Sequence, residues 1–381
     1  MAADKQDKVL NVPTLRFPGF TGEWRKDRIR NLFAINVGGD IDKKEVSDIQ
    51  SAKHPYPVIA NALSNDGIYG YTSGYKDDAP NITVTGRGDV GFAKYRNYPL
   101  YPIVRLLVLH SNGNIDCRFG EHAINRIKKY EESTGVPQLT APQLGAYSIC
   151  YPCLNEQSKI GDFLCLLEDR IITQIRIIED LKSLSDVICE RLYNPSEKGE
   201  WQTYKYEDLF SVSNERNSKL LYKNVLSASQ EYGMIERNEL NIDIKFEESS
   251  ITNYKIVRPN QYVIHLRSFQ GGFAYSEKTG VCSPAYTILV PNENLATAFL
   301  KYYFTSKKFI DSLRIVTYGI RDGRSISVEE FLQLKVNIPD ISQQNHIVCV
   351  MQLWEEKIRT EEAYLFQLQC QKMYLLSTMF V

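Results

Sequence analysis

Gly86, Gly88 and Gly91 have the G-x-G-x-x-G spacing of a dinucleotide-binding loop. Such a loop holds a pyrophosphate only when a helix begins directly after the glycines, because the free N–H groups at a helix start bind the phosphates. Here the glycines lead into the sequence Phe92-Ala-Lys-Tyr-Arg-Asn-Tyr-Pro99, which is predicted to be strand or loop. We therefore interpret these glycines as a hairpin turn.

Cys150 and Cys153 have the C-x-x-C spacing of a redox or metal-binding pair. A structural zinc site needs four ligands, and no second cysteine pair or closely spaced histidine pair accompanies them. No metal site is therefore predicted. The eight cysteines are scattered along the chain, which is more typical of a reducing cytosol than of a disulfide framework, so we expect a cytoplasmic protein.

We find no constellation of residues that would support catalysis. A DNA methyltransferase acting alone would need a glycine loop for its cofactor and an Asn/Asp-Pro-Pro-aromatic motif, but the chain contains no Pro-Pro pair. Neither a phosphate-binding P-loop nor a convincing nuclease carboxylate cluster is present. The sequence therefore predicts a protein that is not an enzyme.

The composition is that of a globular protein, with 43% hydrophobic and 24% charged residues, and no apolar run is long enough to span a membrane. The net charge of −1 is unevenly distributed. Residues 81–130 carry eight Lys/Arg against three Asp/Glu, and residues 252–324 carry ten against four. Residues 155–192, between them, carry five against eight. Two basic segments separated by an acidic one are typical of a nucleic-acid-binding protein.

Basic residues interleaved with Tyr, Asn and Gln are the candidates for DNA contact, since cations bind phosphates and the polar side chains can read base edges. The predicted DNA-binding residues are Arg87, Lys94, Tyr95, Arg96 and Asn97 in the first basic segment, and Arg267, Gln270, Tyr275, Lys278, Tyr318, Arg321 and Arg324 in the second. For any one of them, a solvated surface is the alternative.

The chain contains one long internal duplication. Gly22-Glu-Trp24 recurs as Gly199-Glu-Trp201, an offset of 177, and Gly91-Phe-Ala93 recurs as Gly272-Phe-Ala274, an offset of 181. Pro152 and Gln157 recur 187 residues later as Pro339 and Gln344. The repeat is far too long for a solenoid. We interpret it as two copies of one domain, with a few insertions in the second.

Each copy ends in a segment with apolar residues at alternating steps of three and four. The predicted seam is formed by Ile160, Leu164, Leu167, Ile171, Ile178, Leu181 and Ile188 in the first copy, and by Ile347, Met351, Trp354, Ile358, Leu365, Leu368 and Leu375 in the second. This spacing predicts two long helices that pair as a coiled coil; an ordinary buried helix is the alternative. A helix of about 38 residues is about 57 Å long, so the pair would be a spacer.

The segment before each long helix is predicted to be mixed α/β. Strands are predicted over 81–85, 103–109, 254–257, 262–266 and 286–290, and a helix over 294–312.

The opening Pro13-Thr-Leu-Arg-Phe-Pro-Gly-Phe20, followed by Gly22-Glu-Trp24, resembles that of the specificity subunit of type I restriction–modification systems. The segments from Pro152 to Tyr193 and from Pro339 to Phe380 are similar to its two helices. The resemblance implies α/β (α+β) target recognition domains in two copies, joined by two long antiparallel coiled-coil helices with an internal pseudo-twofold repeat. The predicted parts are an N-terminal arm (1–22), recognition domain 1 (23–150), a central helix (151–198), recognition domain 2 (199–336) and a distal helix (337–381).

The resemblance also implies a function. Each recognition domain would read one half of a bipartite double-stranded DNA sequence, and the helices would set the spacing and dock two methyltransferase subunits, through which endonuclease or motor subunits join. S-adenosylmethionine, ATP and Mg are then expected only in the partner subunits. Two alternatives remain open: a stand-alone methyltransferase or nuclease, for which the motifs are missing, and a coiled-coil scaffold without DNA binding, which leaves the basic segments unexplained.

Overall fold

The computed structural model describes residues 11–127, 138–194, 201–229, 232–237, 248–265, 272–318 and 325–381. The contacts divide the chain into two compact units. Unit 1 comprises residues 1–175 and 364–381, and unit 2 comprises residues 176–363. Each unit therefore contains one α/β domain and part of each long helix.

In unit 1 the strands are β1 (Arg25–Arg28), β2 (Phe33–Val37), β3 (Tyr56–Ile59), β4 (Ile68–Thr72), β5 (Asn81–Val84), β6 (Ala93–Arg96), β7 (Tyr101–Pro102), β8 (Leu107–Ser111) and β9 (Ser148–Tyr151). Its short helices are α1 (Ile29–Leu32), α2 (Cys117–Asn125) and α3 (Ala141–Ala146). The first long helix is α4 (Leu154–Leu192) and the second, at the end of the chain, is α9 (Ile341–Thr378). No described helix is both long and apolar enough to cross a membrane.

In unit 2 the strands are β10 (Gln202–Lys205), β11 (Phe210–Ser213), β12 (Leu226–Ser229), β13 (Gly233–Glu236), β14 (Lys255–Val257), β15 (Gln261–Ile264), β16 (Phe273–Ser276), β17 (Gly280–Cys282), β18 (Thr287–Pro291), β19 (Thr317–Tyr318), β20 (Ser325–Ile326) and β21 (Lys335–Ile338). Its short helices are α5 (Tyr206–Leu209), α6 (Phe299–Tyr303), α7 (Lys307–Ser312) and α8 (Val328–Gln333).

The two units repeat one sheet topology. A four-stranded antiparallel sheet has the order β2-β8-β5-β6 in unit 1 and β11-β18-β15-β16 in unit 2. A separate pair, β1-β9 in one unit and β10-β21 in the other, joins the start of each domain to the strand before its long helix. The duplication predicted from the sequence is therefore present in the strand order.

The strand register corrects one of the sequence matches. Val84 lies opposite Ala93 in unit 1, and Ile264 lies opposite Phe273 in unit 2. The copies of this hairpin therefore correspond at an offset of 180, and Phe273 takes the place of Ala93 rather than of Phe92. A shift of one residue moves every side chain to the other face of a strand, which explains why Phe273 is buried while Phe92 is 42% exposed.

One predicted strand begins later than expected. The apolar run over 103–109 predicts a strand throughout, but β8 begins only at Leu107. Val104 and Arg105 have φ angles of 53° and 60°, in the left-handed region that extended strands do not use. The chain turns at these two residues before it enters the sheet.

The helix predicted over 294–312 is broken into α6 and α7. Ala298 precedes α6 with a φ of 62°, which no continuous right-handed helix accommodates. Ser306 then starts α7 as its N-cap, with its hydroxyl accepting a hydrogen bond from the N–H of Phe309 at 3.3 Å. Apolar spacing alone does not reveal these two breaks.

The fourteen predicted seam residues are all buried or half-buried. In unit 1, Glu168 of α4 pairs with Lys372 of α9 at 2.6 Å, and Arg170 stacks over the Tyr364 ring at 5.5 Å. Rising numbers in α4 meet falling numbers in α9, so the helices are antiparallel there. In unit 2 they are joined by Lys182 and Glu362, which are 2.7 Å apart. Whether this packing continues as a coiled coil stays a prediction.

A buried glutamine ties the start of α4 to its domain. The Gln157 side chain donates hydrogen bonds to the carbonyls of Pro152, at 2.9 Å, and Asn114, at 3.1 Å. Its carbonyl oxygen accepts from the N–H of Asp116 at 2.9 Å. Because the side chain is fully buried, water cannot replace these partners.

Gln344 makes the same contacts at the start of α9. Its amide donates to the carbonyls of Pro339 and Asn294, both at 2.9 Å, and its oxygen accepts from the N–H of Ala296 at 2.8 Å. Each contact of Gln157 thus has its counterpart. We call the two residues the glutamine clamps.

We predict that Gln344→Leu destabilises unit 2 by about 2–4 kcal/mol, because it leaves buried N–H and C=O groups without partners. The measurement is the thermal unfolding of the purified chain. The matched control is Gln343→Leu, since Gln343 is exposed and a surface change costs at most about 0.5 kcal/mol. Equal effects of the two substitutions would contradict the clamp.

Candidate nucleic-acid interface

The first candidate residues lie on the β5–β6 hairpin. The N–H of Thr85 donates to the carbonyl of Phe92 at 3.0 Å, and the N–H of Gly91 donates to the carbonyl of Thr85 at 2.7 Å. Gly88 and Gly91 have φ angles of 70° and 84°, which glycine adopts without strain. Strand β6 follows directly. The hairpin-turn prediction is confirmed, and these glycines start no helix that could bind a pyrophosphate.

Strand β6 is at an edge of its sheet and carries Lys94 and Tyr95, followed by Asn97. The Lys94 ammonium is 3.8 Å from the Asp66 carboxylate and remains partly exposed, while Asn97 is exposed. Burial raises the pKa of the half-buried Tyr95, so its hydroxyl stays protonated at neutral pH and can donate. The edge therefore offers a cation, an amide and a hydroxyl, the groups that bind phosphates and base edges.

Arg96, predicted as a DNA contact, is buried in unit 1. Its guanidinium forms an ion pair with Asp66 and donates to the Asp66 carbonyl at 2.9 Å, to the Tyr98 hydroxyl at 2.9 Å and to the Thr83 hydroxyl at 3.2 Å. Its donors are therefore used inside the domain, where they hold the loop of Asp66. Lys94 and Arg96 lie on the same face of β6, two residues apart, and both reach Asp66. Composition alone does not show that Arg96 is the buried one of the two.

Arg87 lies in the hairpin loop and is half-buried. Its Nε is buried, and among the described residues it has no hydrogen-bond partner. A buried guanidinium N–H without a partner costs free energy, and because this Nε is buried, it does not face the solvent from which DNA would approach.

In unit 2 only part of the predicted set can be placed. Tyr275 is buried on β16, where its hydroxyl donates to Asn260 at 3.3 Å and burial raises its pKa to about 12. Lys278 is exposed just after this strand, and Tyr318 is the last residue of β19. The other four predicted contacts, Arg267, Gln270, Arg321 and Arg324, lie outside the described residues.

The cysteine pair forms no ligand set. Cys150 is half-buried in β9, Cys153 is exposed, and both are free thiols. Burial raises the pKa of Cys150, which disfavours the thiolate that redox or zinc chemistry needs. In the part of the chain that the structure describes, neither cysteine belongs to a cluster of metal-ligating side chains.

One group of titratable residues in unit 1 was not predicted. Glu121 and His122 of α2 lie near Glu168 of α4, with their ligand atoms within 4.8 Å of one another. Burial raises the pKa of Glu121 to about 7 and lowers the pKa of His122 to about 4, so the imidazole is neutral at neutral pH. Glu168 is far from the other two residues in the sequence, so the sequence does not predict that the three meet. The adjacent Glu121 and His122 are the only part of this group that the sequence shows together.

Comparisons with known proteins agree with this architecture. The profile of the type I restriction modification DNA specificity domain matches residues 21–183 and again residues 198–369. Two Mycoplasma pneumoniae proteins named for type I specificity subunits, S.MpnORF507P and S.MpnORF89P, are 30% and 29% identical over 130 residues. These matches cover 33% and 34% of this chain, and only 35% and 38% of the relatives' own lengths.

Two solved structures share the fold. The crystal structure of the S subunit of a type I restriction–modification system from M. genitalium has a TM-score of 0.63 and 16% identity, covering 97% of this chain and 99% of its own. A chain from work on complex assembly and conformational transition of the type I R-M system has a TM-score of 0.56 and 13% identity, covering 96% and 98%. The profile matches both copies of the repeat, most of the chain, so this protein belongs to the family of type I restriction–modification specificity subunits.

Proposed function

We propose that this chain recognises a bipartite DNA sequence, with the α/β domain of each unit reading one half, and that it has no catalytic activity of its own. The observation that carries the proposal is the duplication of one complete assembly: the same four-stranded sheet and the same glutamine clamp at the start of a long helix. Two equivalent domains suit two half-sites, since a duplicated protein presents its reading surface twice.

The long helices are proposed to set the distance between the half-sites. Each is clamped to its domain through a buried side chain with three hydrogen bonds, so a change in helix length cannot be absorbed by a loose joint. A stand-alone enzyme would not need two clamped helices of this kind, and a scaffold without DNA binding would not need an accessible cation and an amide at one sheet edge.

The long helices are also proposed to dock the methyltransferase subunits. In unit 1, large apolar side chains point outward from them: Leu166 of α4 is 69% exposed, and Phe366, Met373 and Tyr374 of α9 are between 62% and 65% exposed. The solvated face of a helix is normally polar, and grouped exposed apolar side chains mark a partner surface. S-adenosylmethionine, ATP and Mg are proposed to belong to the partner subunits in a cytoplasmic complex.

Replacing Lys94 and Asn97 by Ala is predicted to relax or abolish recognition of one half-site and to leave the other unchanged. A lost base contact costs about 1–3 kcal/mol of discrimination, whereas a lost phosphate contact weakens binding to all sequences and lowers the salt slope by about one per charge. The measurement is the methylated motif of the mutant complex, with affinity at two salt concentrations. Lys26→Ala in β1, which changes the charge of the same unit, is the control.

The reciprocal substitutions, Arg321→Ala with Arg324→Ala, are predicted to affect the other half-site. If either pair of substitutions changed both half-sites equally, the assignment of one domain to one half-site would be wrong.

Adding one heptad to both long helices, in register, is predicted to lengthen the spacer between the half-sites. Seven residues add about 10 Å of helix, which corresponds to at most about three base pairs at 3.4 Å each. The spacer is read from the methylated motif of a complex that contains the lengthened chain. An unchanged spacer in a complex that still assembles would refute the proposed ruler.

The purified chain is predicted neither to methylate nor to cleave DNA in the presence of S-adenosylmethionine, ATP and Mg. Methylation of the cognate site should begin only when the methyltransferase subunits are added. Gel shifts should then show tighter binding to the cognate site. Methylation or cleavage of DNA by the chain alone would contradict the proposal that it is not catalytic. Failure of the assembled complex to bind DNA would favour a scaffold.

A further inference from the structure

The group of Glu121, His122 and Glu168 joins the α/β domain of unit 1 to its long helix. Glu121 and His122 are buried, and Glu168 is half-buried. The three lie at a cavity of about 470 Å³, which is also lined by Lys94, Asn125 and Arg126. The DNA-contact and docking surfaces proposed above do not use this group.

His122 is the unusual member. Its side chain is only 4% exposed, and among the described residues its Nε2 has no hydrogen-bond partner. Glu168 Oε1 lies 3.9 Å away, beyond hydrogen-bond distance. A buried imidazole nitrogen without a partner is costly, so the position is suited to a ligand that binds this nitrogen.

The second copy shows how the same position is completed without an added ligand. At an offset of 180 in the domain, Lys301 and Tyr302 of α6 replace Glu121 and His122, and at 187 in the long helix Glu355 replaces Glu168. The Lys301 ammonium is 3.0 Å from Glu355, and the Tyr302 hydroxyl donates to Glu355 at 2.7 Å. A cation and a donor from the chain itself therefore satisfy this carboxylate.

The first copy has a carboxylate where the second has that lysine. Lys372 pairs with Glu168 at 2.6 Å, while the Lys94 ammonium lies 3.8 Å from Asp66. Glu121 accepts a hydrogen bond from the N–H of Tyr95 at 3.0 Å. Among the described residues, Lys372 is the cation within ion-pair distance of the group, so its two carboxyl groups share a single ammonium. A buried carboxyl group is charged only when a cation compensates it.

We propose that Glu121, His122 and Glu168 bind a divalent transition-metal ion such as zinc. Imidazole nitrogen and carboxylate oxygen are ligands of this class of ion. With metal–ligand bonds of about 2.0–2.2 Å, two ligand atoms are at most about 4.4 Å apart. The 3.9 Å between His122 and Glu168 meets this limit, and all three ligand atoms lie within 4.8 Å of one another, so binding requires the side chains to close in by a few tenths of an ångström. The ion ties α2 to α4, and a water in the cavity completes its coordination.

The test is titration of the full-length chain with Co²⁺ alone, in a buffer without chelators, followed by calorimetry and visible absorption. A single ion per chain is expected to bind to the wild type, to raise its melting temperature and to give the ligand-field absorption of nitrogen and oxygen coordination. His122→Ala and Glu121→Gln should each abolish this binding. Tyr302→Phe, at the corresponding position of the second copy, should bind like the wild type.

The proposal is overturned if the wild type binds no ion, or if either unit 1 variant binds as the wild type does. Thiolate-to-metal charge-transfer absorption that disappears in Cys150→Ser would place the ion at the cysteine pair and would overturn it as well. Should His122→Ala fail to fold, the near-isosteric Glu121→Gln decides, with circular dichroism as the check on its folding. The DNA-binding role plays no part in this test, so its outcome is independent of the proposed function.

Discussion

The rest of the structure depends on the buried amide at the start of each long helix. A proline ends the preceding strand segment, and five residues later a glutamine bonds to that proline's carbonyl and to two backbone groups of its own domain. Both the NH2 group and the oxygen of each amide are used, and the side chains are buried. Neither helix start can therefore rotate away without breaking several hydrogen bonds at once. The direction in which each helix leaves its domain is set by this contact.

A fixed frame of this kind leaves the last strand of the four-stranded sheet free to differ between copies. Lys94 and Arg96 of β6 correspond to Ala274 and Ser276 of β16, while the buried partner strands keep their order. The strand is therefore cationic in unit 1 and neutral in unit 2, while the order of the strands in the sheet stays the same. The two copies therefore share a sheet and differ in the charge of its last strand.

The same divergence reaches the junction between domain and helix. In unit 2 the lysine of α6 neutralises the glutamate of the long helix, whereas in unit 1 a second carboxyl group takes the place of that lysine. Beside it, a histidine nitrogen has no partner among the described residues. This difference in charge between the two copies results from the residues at one pair of equivalent positions, Lys301 in unit 2 and Glu121 in unit 1. The duplication reveals this difference, because each copy can be compared with the other at the same positions.

Local patterns in the sequence were sufficient to predict the features that depend only on residues close together in the chain. The 3–4 spacing of apolar residues predicted both long helices nearly to their ends, and the glycines of residues 86–91 predicted a hairpin turn, because periodicity and backbone freedom are local properties. The duplicated Pro and Gln were visible as well, although not the hydrogen bonds they make. Only the tertiary structure decided that Arg96 is buried, that the hairpin copies correspond at 180 rather than 181, and that Glu168 meets Glu121 and His122. Each of these depends on which face of a strand is covered or on contacts between residues far apart in the chain, and packing, rather than spacing, determines both.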